Sequence, residues 1–310
     1  MMHIQSGKSR CMKRLTGALG VMVLSTTLSL PVLAGTLDPN NPQDALKIQR
    51  KMICGSLTDK RPQAYTWQGD VFSRVQGEKD RLVFKVVGTN VRQCVTVTDP
   101  QKGEGFRSVS REVMLYLDPE SGKILRTWDN PWTGAKVEVV HVANDPVNMR
   151  APMFALTRDG NPLRAEGRVV GNLYLSTSEF PLFYPNPLGG AYQNYVGGTY
   201  QAIELFNNFV NAKGLFDADR IDAPRTFVSW VRVSQWLPWM EMGSRPGYLI
   251  FNTQGSSIES PDELPPVLKS ELEANYPAYF TPPPVDDKRP NETSWTVFKR
   301  HIDARRKKSK

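Results

Sequence analysis

The sequence predicts a mainly β protein: an antiparallel meander closed into a lipocalin-like barrel, with a few peripheral helices. About nine short runs rich in β-branched and aromatic residues are separated by Gly, Pro, Asn and Asp turn chemistry, and few helical segments intervene. A sheet of that many strands has to curl or close to hide its edges. A two-layer β-sandwich with added helices is the alternative.

The first 34 residues read as a cleavable signal peptide. Lys8, Arg10, Lys13 and Arg14 stand there without an acidic residue, and residues 15–32 are apolar apart from small or hydroxylated side chains. Val32-Leu33-Ala34 before Gly35 offers the small residues that a signal peptidase needs at the first and third positions before the cut. A retained anchor is the alternative, since about 20 apolar residues span a bilayer, but Ser25, Thr26, Thr27 and Ser29 weaken it as a span. The expected location is therefore periplasmic or secreted, with a single β-rich domain over residues 35–298 and a basic tail over 299–310.

After cleavage, the elements follow in order. Asn41 caps a helix that has Pro42 at its first position, with Ala45, Ile48, Met52 and Ile53 on one face and Gly55 as its stop. Strands are predicted over 65–75, 81–87 and 91–97, separated by Gly77-Glu78-Lys79-Asp80 and Gly88-Thr89-Asn90, with a polar loop to Gly105. Residues 112–117 and 123–128 form a hairpin across Asp118-Pro119-Glu120-Ser121-Gly122, where Pro presets φ and Gly supplies a positive one. A third antiparallel strand over 136–143 follows the turn at Asn130-Pro131-Trp132-Thr133-Gly134.

Two further strands are predicted over 152–158 and 164–176, and then a long ordered loop over 180–200, which has no period. Ala202, Leu205, Phe206, Phe209 and Val210 fit a helix ended by Gly214. Strands over 226–234 and 248–253 flank a Trp- and Met-rich segment. A short helix starts at Pro266, a stiff linker covers 282–287, and Trp295, Phe298 and Ile302 lie on one face of a terminal helix.

The net charge of +8 is unevenly placed. The first 34 residues hold four cations and the last twelve a net +6, so the body is near −2. No specific nucleic-acid partner is expected, because basic residues are nowhere paired with aromatics in a nucleic-acid pattern. The tail is a solvated end or a weak contact with anionic membrane surface. Cys54 and Cys94 are the only thiols after residue 34, either paired as a disulfide or separately buried.

Common catalytic signatures are missing: no G-x-S-x-G elbow, no P-loop, no G-x-G-x-x-G after a strand and no C-x-x-C. No metal or cofactor is expected, since His141 stands alone in the body. His141 is a core residue on an apolar strand face or a general base oriented by Asp145. Arg74, Arg92 and Arg111 either face solvent or, turned inward, call for carboxylates or an anionic ligand. Trp230, Arg232, Trp236, Trp239, Met240, Met242 and Arg245 combine flat aromatics, adaptable thioethers and charged donors, the inventory of an apolar pocket with one polar end. The same inventory fills a core.

The run SREVMLYLDPESGKILRTWDNPWTG over 110–134, continued by VHVANDPVN over 140–148 and WLPWMEMG over 236–243, resembles a family of mostly exported bacterial proteins, domain of unknown function 1838. The resemblance spans most of the chain and implies one domain and an exported location. It supplies no activity. The expected function is binding of a small, largely apolar or amphiphilic molecule in a barrel. The alternatives are a barrel-type isomerase, cyclase or hydrolase acting through His141, and an envelope interaction protein.

Overall fold

The computed structural model describes residues 35–184 and 200–308. The segment read as a signal peptide and most of the loop expected at 180–200 lie outside the described residues. Helix α1 (Pro42–Cys54) begins where its sequence says it should: the Asn41 side chain accepts the backbone N–H groups of Gln43 and Asp44, and Gly55 ends the helix at φ 72°. Among the described residues no helix is long and apolar enough to cross a membrane.

The strands are β1 (Gln63–Arg74), β2 (Arg81–Asp99), β3 (Gly103–Leu117), β4 (Thr127–Asp129), β5 (Lys136–Glu138), β6 (Val142–Asn144), β7 (Met153–Phe154), β8 (Arg168–Val170), β9 (Leu173–Tyr184), β10 (Tyr200–Asn211), β11 (Thr226–Ser234) and β12 (Tyr248–Ile258). Ten of them form one sheet in the order β6-β3-β2-β1-β12-β11-β10-β9-β8, with β7 also pairing β3, and every pairing is antiparallel. The protein is thus mainly β and antiparallel. Strand pairing does not close this sheet among the described residues, since β6 and β8 are its two ends.

The sheet nonetheless curls strongly. Glu112 on β3 and Glu204 on β10 are five strand steps apart, which is about 24 Å across a flat sheet, yet the Glu204 charge acts on the Glu112 carboxyl. Tyr116 on β3 likewise feels Arg232 on β11 and Tyr200 on β10. The face carrying these residues is therefore concave.

Helices complete what the strands leave open. At one end α1 packs against β2 and β3, and Ala45, Ile48 and Met52 share a core cluster with Tyr174 of β9 and Val210 of β10. At the other, helix α4 (Ser294–Lys308) contacts β6, while its Trp295 meets Tyr200 edge-on at 4.7 Å between ring centroids. The convex face of β1 to β3 is covered by helix α3 (Pro266–Asn275), whose Leu268 and Leu272 join a cluster with Val87, Val113, Leu115 and Ile258.

Several expectations need correction. Residues 202–210 are strand, not helix. Ala202, Glu204, Phe206, Asn208 and Val210 alternate with outward residues and pair on both sides, with β9 and β11; two strand partners outweigh an accidental helical period, and Ile, Phe, Asn and Val are weak helix formers. Gly88 does not interrupt β2, which runs through it. The predicted hairpin after Leu117 does turn, with Gly122 at φ 68° and a bridge between Leu117 and Ile124. The chain then leaves β3, and β4 pairs only with β5 as a separate ribbon. Of the expected strand over 152–158 only Met153–Phe154 form a strand, β7, with Leu156 in an isolated bridge to Pro162. The short helix α2 (Ala212–Phe216) follows β10 directly. The basic segment does not trail off at 299: α4 continues to Lys308 with Ile302 buried, and Lys299, Arg300 and Arg305 pair with Asp303, Glu292 and Glu138.

Candidate functional site on the concave face

Alternation places Tyr65, Trp67 and Val71 of β1 on the concave face, opposite Asn90, Gly88 and Phe84 of β2. The same register turns Glu112, Met114 and Tyr116 of β3, Phe251 and Gly255 of β12, Trp230 and Arg232 of β11, and Glu204 and Phe206 of β10 inward. Polar and aromatic side chains therefore meet on one curved surface.

Its aromatic part is centred on Trp67 and Trp230, edge-on at 6.4 Å. Trp230 also lies over Phe206 at 6.2 Å and beside Phe251 at 5.7 Å, and Phe180 meets Phe206 at 5.7 Å. The neighbours of Trp67 on both flanking strands are glycines, Gly88 and Gly255. A Cβ at Gly88 would lie 2.5 Å from the indole, so glycine there is what lets the ring lie down on the sheet.

Two charged groupings flank the aromatics. Arg232 donates to Glu204 Oε1 at 2.6 Å and to the Tyr200 hydroxyl at 2.9 Å. Burial opposes the Arg232 charge, but Tyr200 and Glu204 outweigh it and hold its pKa above the ordinary value. In the second grouping, Arg92 donates to Asn90 Oδ1 at 2.8 Å and stacks over Tyr65 at 4.8 Å. Asn144 donates to Glu112 Oε1 at 2.8 Å. Burial raises the Glu112 pKa, Glu204 raises it further, and Asn144, Arg232 and Arg92 only partly oppose this. Four buried polar atoms on this face have no partner among the described residues: Trp67 Nε1, Trp230 Nε1, Arg232 Nε and Asn144 Oδ1. Buried polar groups are rarely left so in proteins, and several on one concave aromatic surface are what a ligand site presents.

Of the residues singled out by sequence, Arg92, Trp230 and Arg232 belong to this face. Arg74 does not: it is exposed at the end of β1 and bonded to Asp80. Arg111 sits on the convex side, donating to the Ala278 carbonyl at 3.0 Å and lying 3.5 Å from Asp145. Arg245 is exposed and donates to the Trp132 carbonyl. Trp236, Trp239, Met240 and Met242 are core, at most 7% exposed. Trp239 packs on Phe84, Tyr116 and Trp128, Trp236 on Trp132, and Asn130 donates to the Met240 carbonyl and the Met242 sulfur.

The pairing of His141 with Asp145 is corrected too. His141 Nδ1 accepts the Tyr116 backbone N–H at 3.1 Å, filling the ladder position beyond β6, while Asp145 faces Arg289 at 2.8 Å and Arg111. Burial, with help from the Arg126 charge and against that of Glu271, lowers the His141 pKa to about 4. A native pKa below the unfolded value means that the unfolded chain binds the proton more readily, so this contribution to stability is whole above about pH 6.5 and is lost as pH falls towards about 4. His141→Gln is expected to flatten the pH dependence of stability in that window, measured by urea unfolding at pH 4 to 7. An unchanged slope would show that His141 does not set it.

Sequence reasoning missed Tyr65, Trp67, Glu112, Asn144, Tyr200, Glu204 and Phe206. The signal was present as i, i+2 pairs, Tyr65 with Trp67 and Trp230 with Arg232, but the helical reading of 202–210 hid Glu204 and Phe206. Cys54 and Cys94 are joined in a disulfide, which ties the end of α1 to β2 beside Arg92. Among the described residues no three His, Cys, Asp or Glu side chains gather as metal ligands would.

Comparison with curated proteins finds no match. A family model described as protein of unknown function (DUF1838) matches residues 60–302. That span holds every strand of the sheet and all the residues of the concave face, and on it the chain belongs to the DUF1838 family.

Proposed function

We propose that the protein is an exported binding protein that holds a small, largely apolar molecule on the concave face of its sheet, which acts as a lipocalin-like barrel with helices completing the wall. The observation that carries this reading is the combination, on one inward surface, of the Trp67, Trp230, Phe206 and Phe251 cluster with buried donors that lack partners among the described residues. Apolar area supplies affinity, and a few fixed polar atoms supply orientation. Export is supported by the signal-like first 34 residues and by a disulfide, a bond that persists in oxidising compartments. The basic end of α4 gives the protein a means of weak contact with anionic membrane surface.

The test combines native mass spectrometry of purified protein with uptake of the neutral hydrophobic dye N-phenyl-1-naphthylamine. A co-purifying small molecule or saturable dye uptake is expected, and Gly88→Leu, whose side chain enters the space of the Trp67 ring, should weaken dye uptake at least about tenfold. Absence of both bound molecule and dye uptake overturns the reading, as does undiminished uptake in a folded Gly88→Leu protein.

A further inference from the structure

The concave face has an unbalanced inventory of hydrogen-bonding atoms. Among the described residues, its fully buried atoms without a partner are three donors, Arg232 Nε and the indole N–H groups of Trp67 and Trp230, and one acceptor, Asn144 Oδ1. The donors are close together. Trp230 and Arg232 are i, i+2 neighbours on one strand face, with Cα atoms about 7 Å apart, and Trp67 is edge-on to Trp230 at 6.4 Å. Arg232 is also held in place, because Glu204 and Tyr200 fix two of its nitrogens and leave the third for something else.

We infer that the bound molecule carries a carboxylate, received by Arg232 Nε and the indole N–H of Trp230 with Trp67 as the third donor, and that its apolar body lies along Phe206, Phe251 and Phe180. This rests on the concave face being the binding site. A carboxylate is acceptor-only and matches a donor-rich surface. An alcohol brings a hydroxyl proton that needs an acceptor of its own. A cationic group would find aromatic faces, but it would also meet the like charges of Arg92 and Arg232, and the Glu204 carboxylate that could attract it is already bonded to Arg232. Desolvation of Glu112 further reduces the negative charge available to a cation.

The experiment is displacement of N-phenyl-1-naphthylamine by three ligands of equal chain length: decanoate, 1-decanol and decyltrimethylammonium. Decanoate is expected to displace the dye at a concentration at least about tenfold lower than 1-decanol, the size of one charge-assisted hydrogen bond, with decyltrimethylammonium weakest. The double variant Arg232→Met, Glu204→Gln removes both charges together and should lose the preference for decanoate over 1-decanol, read as the ratio of their displacing concentrations. Trp230→Phe keeps a smaller aromatic ring and removes one donor, and should lower the preference for decanoate over 1-decanol several-fold, read as the ratio of their displacing concentrations whatever the loss common to both; it serves if the double variant does not fold.

Equal displacement by 1-decanol or the ammonium compound, with dye bound normally, overturns the carboxylate inference and leaves the binding reading standing. Failure of the dye and of all three ligands to bind overturns both. A preference for decanoate that survives in Trp230→Phe and in a folded double variant overturns the assignment to Arg232 and Trp230.

Discussion

Loss of the bond between Cys54 and Cys94 is expected to cost about 4 kcal/mol of stability, the loop-closure entropy of a bridge spanning 40 residues. Both cysteines are almost fully buried, so Cys54→Ala with Cys94→Ala avoids leaving a hydroxyl or thiol without a partner. Chemical denaturation of the oxidised protein and the double variant measures the difference, and less than about 1 kcal/mol would show that the unfolded chain gains little freedom when the bridge is absent. The effect reaches the concave face through the end of α1. The Tyr65 hydroxyl donates to the Met52 carbonyl at 2.7 Å, and Arg92 reaches the Ile53 carbonyl at 3.4 Å. Release of α1 from β2 should therefore loosen Tyr65 and Arg92 together, and the variant is expected to take up hydrophobic dye less tightly than the oxidised protein.

Arg232→Ala is expected to destabilise the protein by about 3 kcal/mol, near the lower end of the range for breaking a buried ion pair. The two side chains are 17% and 18% exposed, so solvent moderates the penalty. The cost arises because Glu204 keeps its charge on the concave face after its partner has gone, and because the hydrogen bond from Arg232 to the Tyr200 hydroxyl is lost. Glu204→Gln in the same chain removes that charge and should restore more than half of the loss. A double-mutant cycle measured by thermal or chemical unfolding gives the coupling between the two residues. Additive effects of the two substitutions would mean that the pair does not act as a unit, and that Arg232 is held in place by something other than Glu204.

The two candidate arginines that face inward and the three that do not illustrate how much of the site was readable. Arg92 and Arg111 lie on adjacent strands, and both stand in mixed polar and apolar surroundings, Asn90-Val91-Arg92-Gln93 and Ser110-Arg111-Glu112-Val113, so the local pattern gives no reason to separate them. Register does: Arg92 is opposite Ser110 and Arg111 opposite Val91, which places them on opposite faces of one sheet. Arg232 was legible as a candidate because it stands in the Trp-, Met- and Arg-rich run over 229–247, whereas its partner Glu204 sat in a segment whose apolar spacing also fits a helix. The Trp236 to Met242 segment stood out by composition alone, and composition does not distinguish a ligand pocket from a core.

By itself the sequence determined the antiparallel β class, through period-two runs and turn residues whose backbone preferences act locally. It determined the start and stop of α1 through Asn41, Pro42 and Gly55, and the turns at Gly77 and Gly122, for the same reason: each depends on contacts within a few residues. Tertiary structure decided which face of each strand is concave, that β12 joins β1 so that both halves form one sheet, that Cys54 meets Cys94, and that Glu204 and Arg232 face each other. Those outcomes depend on pairings between residues tens to hundreds of positions apart, where a one-residue change of register would send every side chain of a strand to the other face.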